Sequence, residues 1–164
     1  MALNRARANR PIVALADEIR AFQQFFEEHE RGVFSLLVHL GMDEGQAADL
    51  TQQVFVRVWK TERQSQNEDE RVVACYRNAL GWGRSAVAGR RTPRTLPADN
   101  QVVRALEDLP EEERIAIVLC RIAKLRPELV AQVLVDSEWR VLKLLSRATA
   151  RLAAVLTQPS GDEV

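Results

Sequence analysis

Residues 42–60 read MDEGQAADLTQQVFVRVWK, and this stretch carries the clearest fold signal in the chain. Asp43 followed three residues later by Gln46 is a capping-box spacing, which predicts that a helix begins here. Apolar residues recur along it at helical spacing and predict one buried face: Ala47, Leu50, Val54 and Val58. Four polar residues fall on its other faces: Asp49, Gln52, Gln53 and Arg57. Taken alone, these four indicate no more than a solvated helix surface.

A second informative stretch, residues 106–156, predicts three helices. Pro110 followed by three glutamates is typical of a helix start, because acidic side chains complement the positive end of the helix dipole. A short helix is expected from Pro127, then a tight turn at residues 135–137. A longer helix follows, capped by Asp136 or Ser137 and ending at Thr157. These proportions are typical of a helix-turn-helix.

The rest of the chain divides around a basic linker, residues 89–100 (GRRTPRTLPADN). Before it, helices are expected from Pro11 to Gly41, with a candidate break at Gly32, and again from about Arg71. The polar, acidic stretch 61–70 is predicted to be a loop. The predicted fold is therefore all-α, with two small helical domains, 11–88 and 101–157, and the helix-turn-helix in the second. The sequence leaves open how the two domains are placed.

Composition narrows the function classes. The 164 residues carry 23 basic and 23 acidic side chains, so the zero net charge excludes a uniformly basic DNA-coating protein. No segment is apolar enough for a signal peptide or a membrane span, so a cytoplasmic protein without membrane contact is expected. Cys75 and Cys120 are predicted to be free thiols.

No enzyme, metal site or cofactor is predicted. His29 and His39 do not have the spacing of helical metal ligands, and the sequence contains no nucleophile elbow or glycine-rich phosphate loop. The glutamates after Pro110 are explained by the helix dipole.

The last predicted helix carries a basic stripe, which is either a solvated face or a phosphate-binding surface. Its members recur by three and four residues: Arg140, Lys143, Arg147 and Arg151.

In its motifs the chain resembles extracytoplasmic-function (ECF) sigma factors, the small promoter-specificity subunits of bacterial RNA polymerase. Residues 49–59 (DLTQQVFVRVW) are similar to the family's region-two helix DLVQEVFLRLW. Residues 105–121 resemble the ALxxLPxxxRxxxxLR opening of region four, and residues 147–152 resemble its RARxRL ending. Motif order, spacing and linker all agree with the family.

The resemblance implies roles for named residues. The first domain would dock on the polymerase core through Asp49, Gln52, Gln53 and Arg57. It would also capture the melted minus-ten strand of promoter DNA, with stacking on Tyr76 or Trp82. The implied DNA contacts are Arg77, Asn78 and Arg84 in the first domain, and Arg140, Lys143, Arg147 and Arg151 in the second. An anti-sigma factor is a further partner that the family implies. The oligomeric state is not indicated.

The DNA-reading regions depart from the family. The usual glycine of the helix-turn-helix turn is Val135, which is strained if that turn needs a positive φ. Where family members read GTVKSRL, this chain has residues 139–145, WRVLKLL. This leaves a second hypothesis open: a diverged sigma-like protein that binds polymerase, another protein or itself without reading promoters. Its contact would be formed by Trp139, Leu142 and Leu144.

Overall fold

All the regular structure described is helical. The computed structural model describes residues 3–62, 65, 67–88 and 100–157, with side chains from residue 13 onward. Within these ranges the helices are α1 Leu3–His39, α2 Glu44–Glu62, α3 Glu68–Val87, α4 Gln101–Glu107, α5 Glu111–Ile117, α6 Pro127–Leu134 and α7 Glu138–Leu156. The end of α5 continues as one π-helical turn, Val118–Ile122, which the sequence did not predict. The all-α fold class is confirmed. The predicted linker, apart from its last residue, lies outside the described residues.

Helix starts follow the expected capping chemistry. The Gln46 N–H donates to Asp43 Oδ1 at 2.9 Å at the start of α2, and Ser137 Oγ accepts from the Arg140 N–H at the start of α7. Helix α3 begins at Glu68, because Asn67 caps it, and so it starts earlier than predicted. Its first turn contains Glu68, Asp69 and Glu70, three of the four acids of the supposed loop, and there they complement the helix dipole.

Helix α1 is longer than predicted and has no break. It begins at Leu3, so the expected start at Pro11 is wrong, since the alanines and arginines before that proline favour helix. It also passes through Gly32 without interruption. A Cβ placed there would lie 2.3 Å from Tyr76 Oη and 2.8 Å from Ala123 Cβ. Glycine is therefore used here for close packing and not to end the helix.

The two predicted domains pack against each other around a shared apolar core. Helix α3 lies against α6, and α1 lies against the π-helical turn. The core runs without interruption from α1–α3 into the second half of the chain, and Tyr76 at its centre is fully buried. Tyr76 Oη lies 3.4 Å from Nδ1 of buried His29. Burial disfavours the charged form of both side chains. It therefore raises the pKa of Tyr76 and lowers the pKa of His29, and both side chains are held neutral.

Polar contacts at the edge of this packing join the same two halves. The joined pairs are Arg77 with the Gln132 carbonyl (2.7 Å), Arg84 with Glu111 (2.9 Å) and Arg126 with Asp69 (2.8 Å). These groups are solvent-exposed, and an exposed ion pair contributes only about 0–1 kcal/mol. The apolar contacts therefore dominate the closed arrangement, and the ion pairs fix its register.

Candidate functional site

The four predicted polymerase contacts lie together on one side of α2. Asp49, Gln52, Gln53 and Arg57 are all exposed and line a shallow groove of about 500 Å³. The groove also includes Val56 and Lys60 of α2, and Trp82 of α3. It therefore combines both signs of charge, two side-chain amides and an aromatic wall, which are features of a protein-binding surface.

The opposite side of α2 explains why this surface is held rigidly. Ala47, Val54 and Val58 are completely buried, and Thr51 Oγ1 donates to the Ala47 carbonyl at 2.7 Å. With the threonine hydroxyl satisfied within the helix, the buried side is apolar towards α1 and α3. The polar groove residues are thus presented on a backbone that packing fixes.

The aromatic residues expected to stack on a melted strand differ in exposure. Tyr76 is fully buried between the two halves of the protein, so the expectation that it stacks on DNA is wrong for this conformation. Trp82 is partly exposed, but it lines the α2 groove. The structure therefore places Trp82 beside the predicted polymerase contacts.

The predicted DNA contacts on α3 face the second half of the chain. Arg77 donates from Nε and Nη2 to the Gln132 carbonyl, at 3.2 and 2.7 Å. Arg84 pairs with Glu111, and Asn78 is half-buried. Both arginines are exposed, and both are already engaged by groups of the second half.

Helices α6 and α7 are joined by a tight turn at the position that the sequence predicts. Helix α6 ends at Leu134, and the φ of 56° and ψ of 49° of the next residue, Val135, place it in the left-handed region. The turn residue that replaces the family's usual glycine therefore does have a positive φ. Valine is β-branched, so it adopts this backbone conformation at a conformational cost. Ser137 then caps α7, whose buried side is formed by Val141, Leu144 and Ala148.

The basic stripe of α7 divides into two kinds of side chain. Arg140 pairs with Glu112 at 3.1 Å and with Asp136 at 2.9 Å. Arg151 Nε lies 3.1 Å from the carboxylate of Glu113, which is almost completely buried, so this arginine balances a core charge. By contrast, Lys143 and Arg147 are exposed, with Lys143 Nζ 4.8 Å from the centroid of the Trp139 ring.

The predicted apolar contact on α7 is smaller than expected. Trp139 is 68% exposed and Leu142 is 48% exposed, but Leu144 is only 8% exposed and belongs to the core. Its place in the proposed contact is therefore wrong, because the turn of the helix points it inward with Val141. The exposed Val135, at the turn, lies near the same end of α7 and was not predicted as part of this surface.

An apolar groove between α1 and α2 was also missed. Its walls are Ile19, Phe22, Phe26, Phe55, Val56 and Trp59, together with Gln23 and Gln52. The signal was present in the apolar stripe of α1, which continues past the residues that the core needs. Gln52 and Val56 line this groove and the polar groove alike, so the two form adjoining surfaces.

Other kinds of site are not indicated. Within the described residues, no group of three or more histidine, cysteine or acidic side chains is placed to hold a metal ion. In the same part of the chain, no helix is long and apolar enough to cross a membrane. Cys75 and Cys120 are free thiols, and burial raises the pKa of both.

Comparison with solved structures identifies the fold. CnrH, in its complex with the cytosolic domain of CnrY, superposes with a TM-score of 0.68 at 27% identity, over 86% of this chain and 90% of that chain. The sigma factor RpoE, in its complex with the anti-sigma factor NepR from Bartonella quintana, superposes with a TM-score of 0.63 at 17% identity, over 85% and 98%. This chain has a sigma-factor fold.

The neighbours also indicate the class of protein to which this fold belongs. Both neighbours are ECF sigma factors, and sigma factors regulate transcription without being enzymes. No family profile matches the sequence, and comparison with curated proteins finds no match. The likeness to sigma factors is therefore evident in the three-dimensional fold and in the short motifs.

Proposed function

We propose that the protein is an ECF-type sigma factor that directs RNA polymerase to promoters and initiates transcription. The observation that carries the proposal is the exposed α2 groove on a sigma-factor fold. Three of its four polar residues, Asp49, Gln52 and Arg57, are identical to the family motif, Gln53 stands where the motif has glutamate, and all four line one groove. The proposed site of action is the cytoplasm.

The α2 groove would bind the polymerase core. Arg57 and Asp49 supply opposite charges that fix the register of a complementary surface, while Gln52 and Gln53 supply amide donors and acceptors. The apolar groove between α1 and α2 adjoins them, so a partner that fills both would bury aromatic area beside the polar contacts. This combination is typical of a binding hot spot with a polar rim.

The promoter contacts would need the two halves of the protein to separate. In the closed arrangement Arg77 and Arg84 are bonded to α6 and α5, and Tyr76 is buried. Binding to polymerase would supply the free energy for separation if the core binds the open form more tightly. Lys143 and Arg147 are already exposed and would contact the upstream promoter element in either arrangement.

A protein that controls this equilibrium is a further part of the proposal. Both structural neighbours were solved with protein partners, the cytosolic domain of CnrY and the anti-sigma factor NepR. An anti-sigma factor of this chain would act by covering the α2 groove or by stabilising the closed arrangement.

The alternative function is a sigma-like protein that binds polymerase or another protein without reading promoters. One observation favours it. Arg77, Arg84, Arg140 and Arg151 are all engaged by groups of the protein itself, which leaves few free cations for phosphate.

The test of the main proposal is binding of the full chain to RNA polymerase core. Arg57→Ala should weaken the complex by about ten-fold or more, as expected for a charged contact in a buried interface. Arg121→Ala is the matched control, since Arg121 is also exposed but lies on the π-helical turn. Equal affinities for the two variants would show that α2 is not the docking surface.

A further inference from the structure

We infer that the start of α7 reads thymine through its C5-methyl group, with Leu142 and Trp139 as the contacting side chains. This inference rests on the proposed function and assigns a ligand chemistry to the part of the recognition helix that departs most from the family.

Helix α7 turns the side chains of its first two turns towards solvent on one face. Its buried side is formed by Val141, Leu144 and Ala148, so Trp139 and Lys143 lie on the opposite face and Leu142 lies beside them. These residues occupy the first two turns of the second helix of a helix-turn-helix. That segment enters the major groove in such motifs and contacts base edges.

The chemistry of the exposed side chains limits what they can read. Leucine and the tryptophan ring face cannot accept or donate the hydrogen bonds that distinguish guanine, cytosine or adenine. The feature of a base edge that suits them is the thymine methyl, which only A·T pairs present in the major groove. Lys143, 4.8 Å from the Trp139 ring, brings a cation to the same site, and exposed Arg147 follows one turn later. A surface that is both apolar and basic suits thymine-containing duplex DNA.

The exposed apolar patch at the start of α7 is small. Because Leu144 is buried, the exposed apolar residues at this end of α7 are reduced to Trp139, Leu142 and neighbouring Val135. Three side chains fall well short of the roughly 800 Å² per partner that a stable protein interface requires. A few base-pair contacts need far less apolar area, so DNA fits the patch better than a second protein does.

The test uses the full chain bound to RNA polymerase core. Duplexes are first enriched from a random DNA library, and the selected upstream element is then made with thymine or with uracil at each A·T pair. Uracil pairs identically and lacks only the C5-methyl. Loss of one buried methyl should weaken binding about four-fold. The inference therefore predicts that at least one uracil substitution reduces affinity by this factor.

Variants assign the effect to the patch. Leu142→Ala should remove the thymine-to-uracil difference at one position while the complex with core is kept. Leu156→Ala is the matched control, because Leu156 is also an exposed leucine of α7 but lies in its last turn. It should leave the ratio unchanged.

Other outcomes contradict the inference in distinguishable ways. Equal affinity for thymine and uracil duplexes would overturn it and leave promoter reading intact. If Leu142→Ala changes neither the selected sequence nor the uracil ratio, the patch does not read thymine and the inference is wrong. If no duplex is enriched although core is bound, both the inference and promoter reading by this chain are wrong.

Discussion

The left-handed turn at Val135 makes a sharp prediction about stability. A non-glycine residue in this conformation costs roughly 1–2 kcal/mol. The Val135 side chain is 80% exposed, so removing it loses little packing. Glycine adds back about 0.5–1 kcal/mol through the greater freedom of the unfolded chain. We therefore expect Val135→Gly to raise the free energy of unfolding by about 0.5–1 kcal/mol.

The assay is thermal unfolding, in which the Tm is measured by calorimetry and by circular dichroism. For a chain of 150–250 residues, 1 kcal/mol corresponds to roughly 2–4 °C in Tm, so the expected increase is about 1–4 °C. Val56→Gly is the matched control, since Val56 is an exposed valine in the middle of α2. It should lower the Tm, because glycine is unfavourable inside a helix. A decrease of similar size in both variants would refute the left-handed turn between α6 and α7.

Three further predictions concern the core and its charges. Gly32→Ala should destabilise the protein by about 1–3 kcal/mol in urea unfolding, because the new Cβ would overlap Tyr76 and Ala123. The control Gly81→Ala, whose Cβ would meet no atom within 4 Å, should stabilise the protein by about 0.5–1 kcal/mol. Equal effects of the two substitutions would contradict the close packing of α1. Because burial lowers the pKa of His29 below its ordinary 6.5, the unfolded state takes up the proton first, so stability should be complete above about pH 6.5 and fall as the pH is lowered from there. His29→Gln should reduce this part of the pH dependence between pH 7.5 and 5.5, and an unchanged profile would contradict it. Arg151→Ala should lower the free energy of unfolding by about 1–3 kcal/mol, because it leaves the buried Glu113 carboxylate without its cation. The control Arg147→Ala should change the free energy of unfolding little in the same urea assay. Similar decreases in both variants would show that the pair of Arg151 with Glu113 does not stabilise the fold.

Local chemistry made much of this fold predictable. The Asp43 cap, the helix start at Pro110 and the α7 cap at Ser137 depend on neighbouring residues in the sequence, and all three are present. Apolar periodicity likewise identified the buried side of α2. The start of α3 was placed too late, because the acids of its first turn were taken for a loop when Asn67 in fact caps them.

What the sequence could not show depends on contacts between distant residues. Nothing in the local pattern around Gly32 reveals that Tyr76 and Ala123 approach it from other helices. In the same way, Leu144 lies between exposed and buried positions of α7, and its burial is decided by the helices packed beneath it. The pairing of Arg84 with Glu111 arises only because the two halves of the chain close on each other.

The candidate site was predicted in its parts but not in its arrangement. The four polar residues of α2 were identified from a short motif, and they do share one surface. The neighbouring apolar groove and the position of Trp82 beside α2 require the packing of three helices. The engagement of Arg77 and Arg84, two of the predicted DNA contacts, by groups of the second half likewise follows from the closed arrangement, which no sequence motif encodes.

The central claim is best tested by binding the purified protein to RNA polymerase core and transcribing a genomic DNA library with the complex in a run-off assay. A sigma factor of the ECF type should bind core and yield specific transcripts whose start sites share an upstream element. Core binding without specific transcripts would support the alternative of a sigma-like protein that does not read promoters. Absence of core binding would contradict the account, since the α2 groove would then have lost its proposed partner.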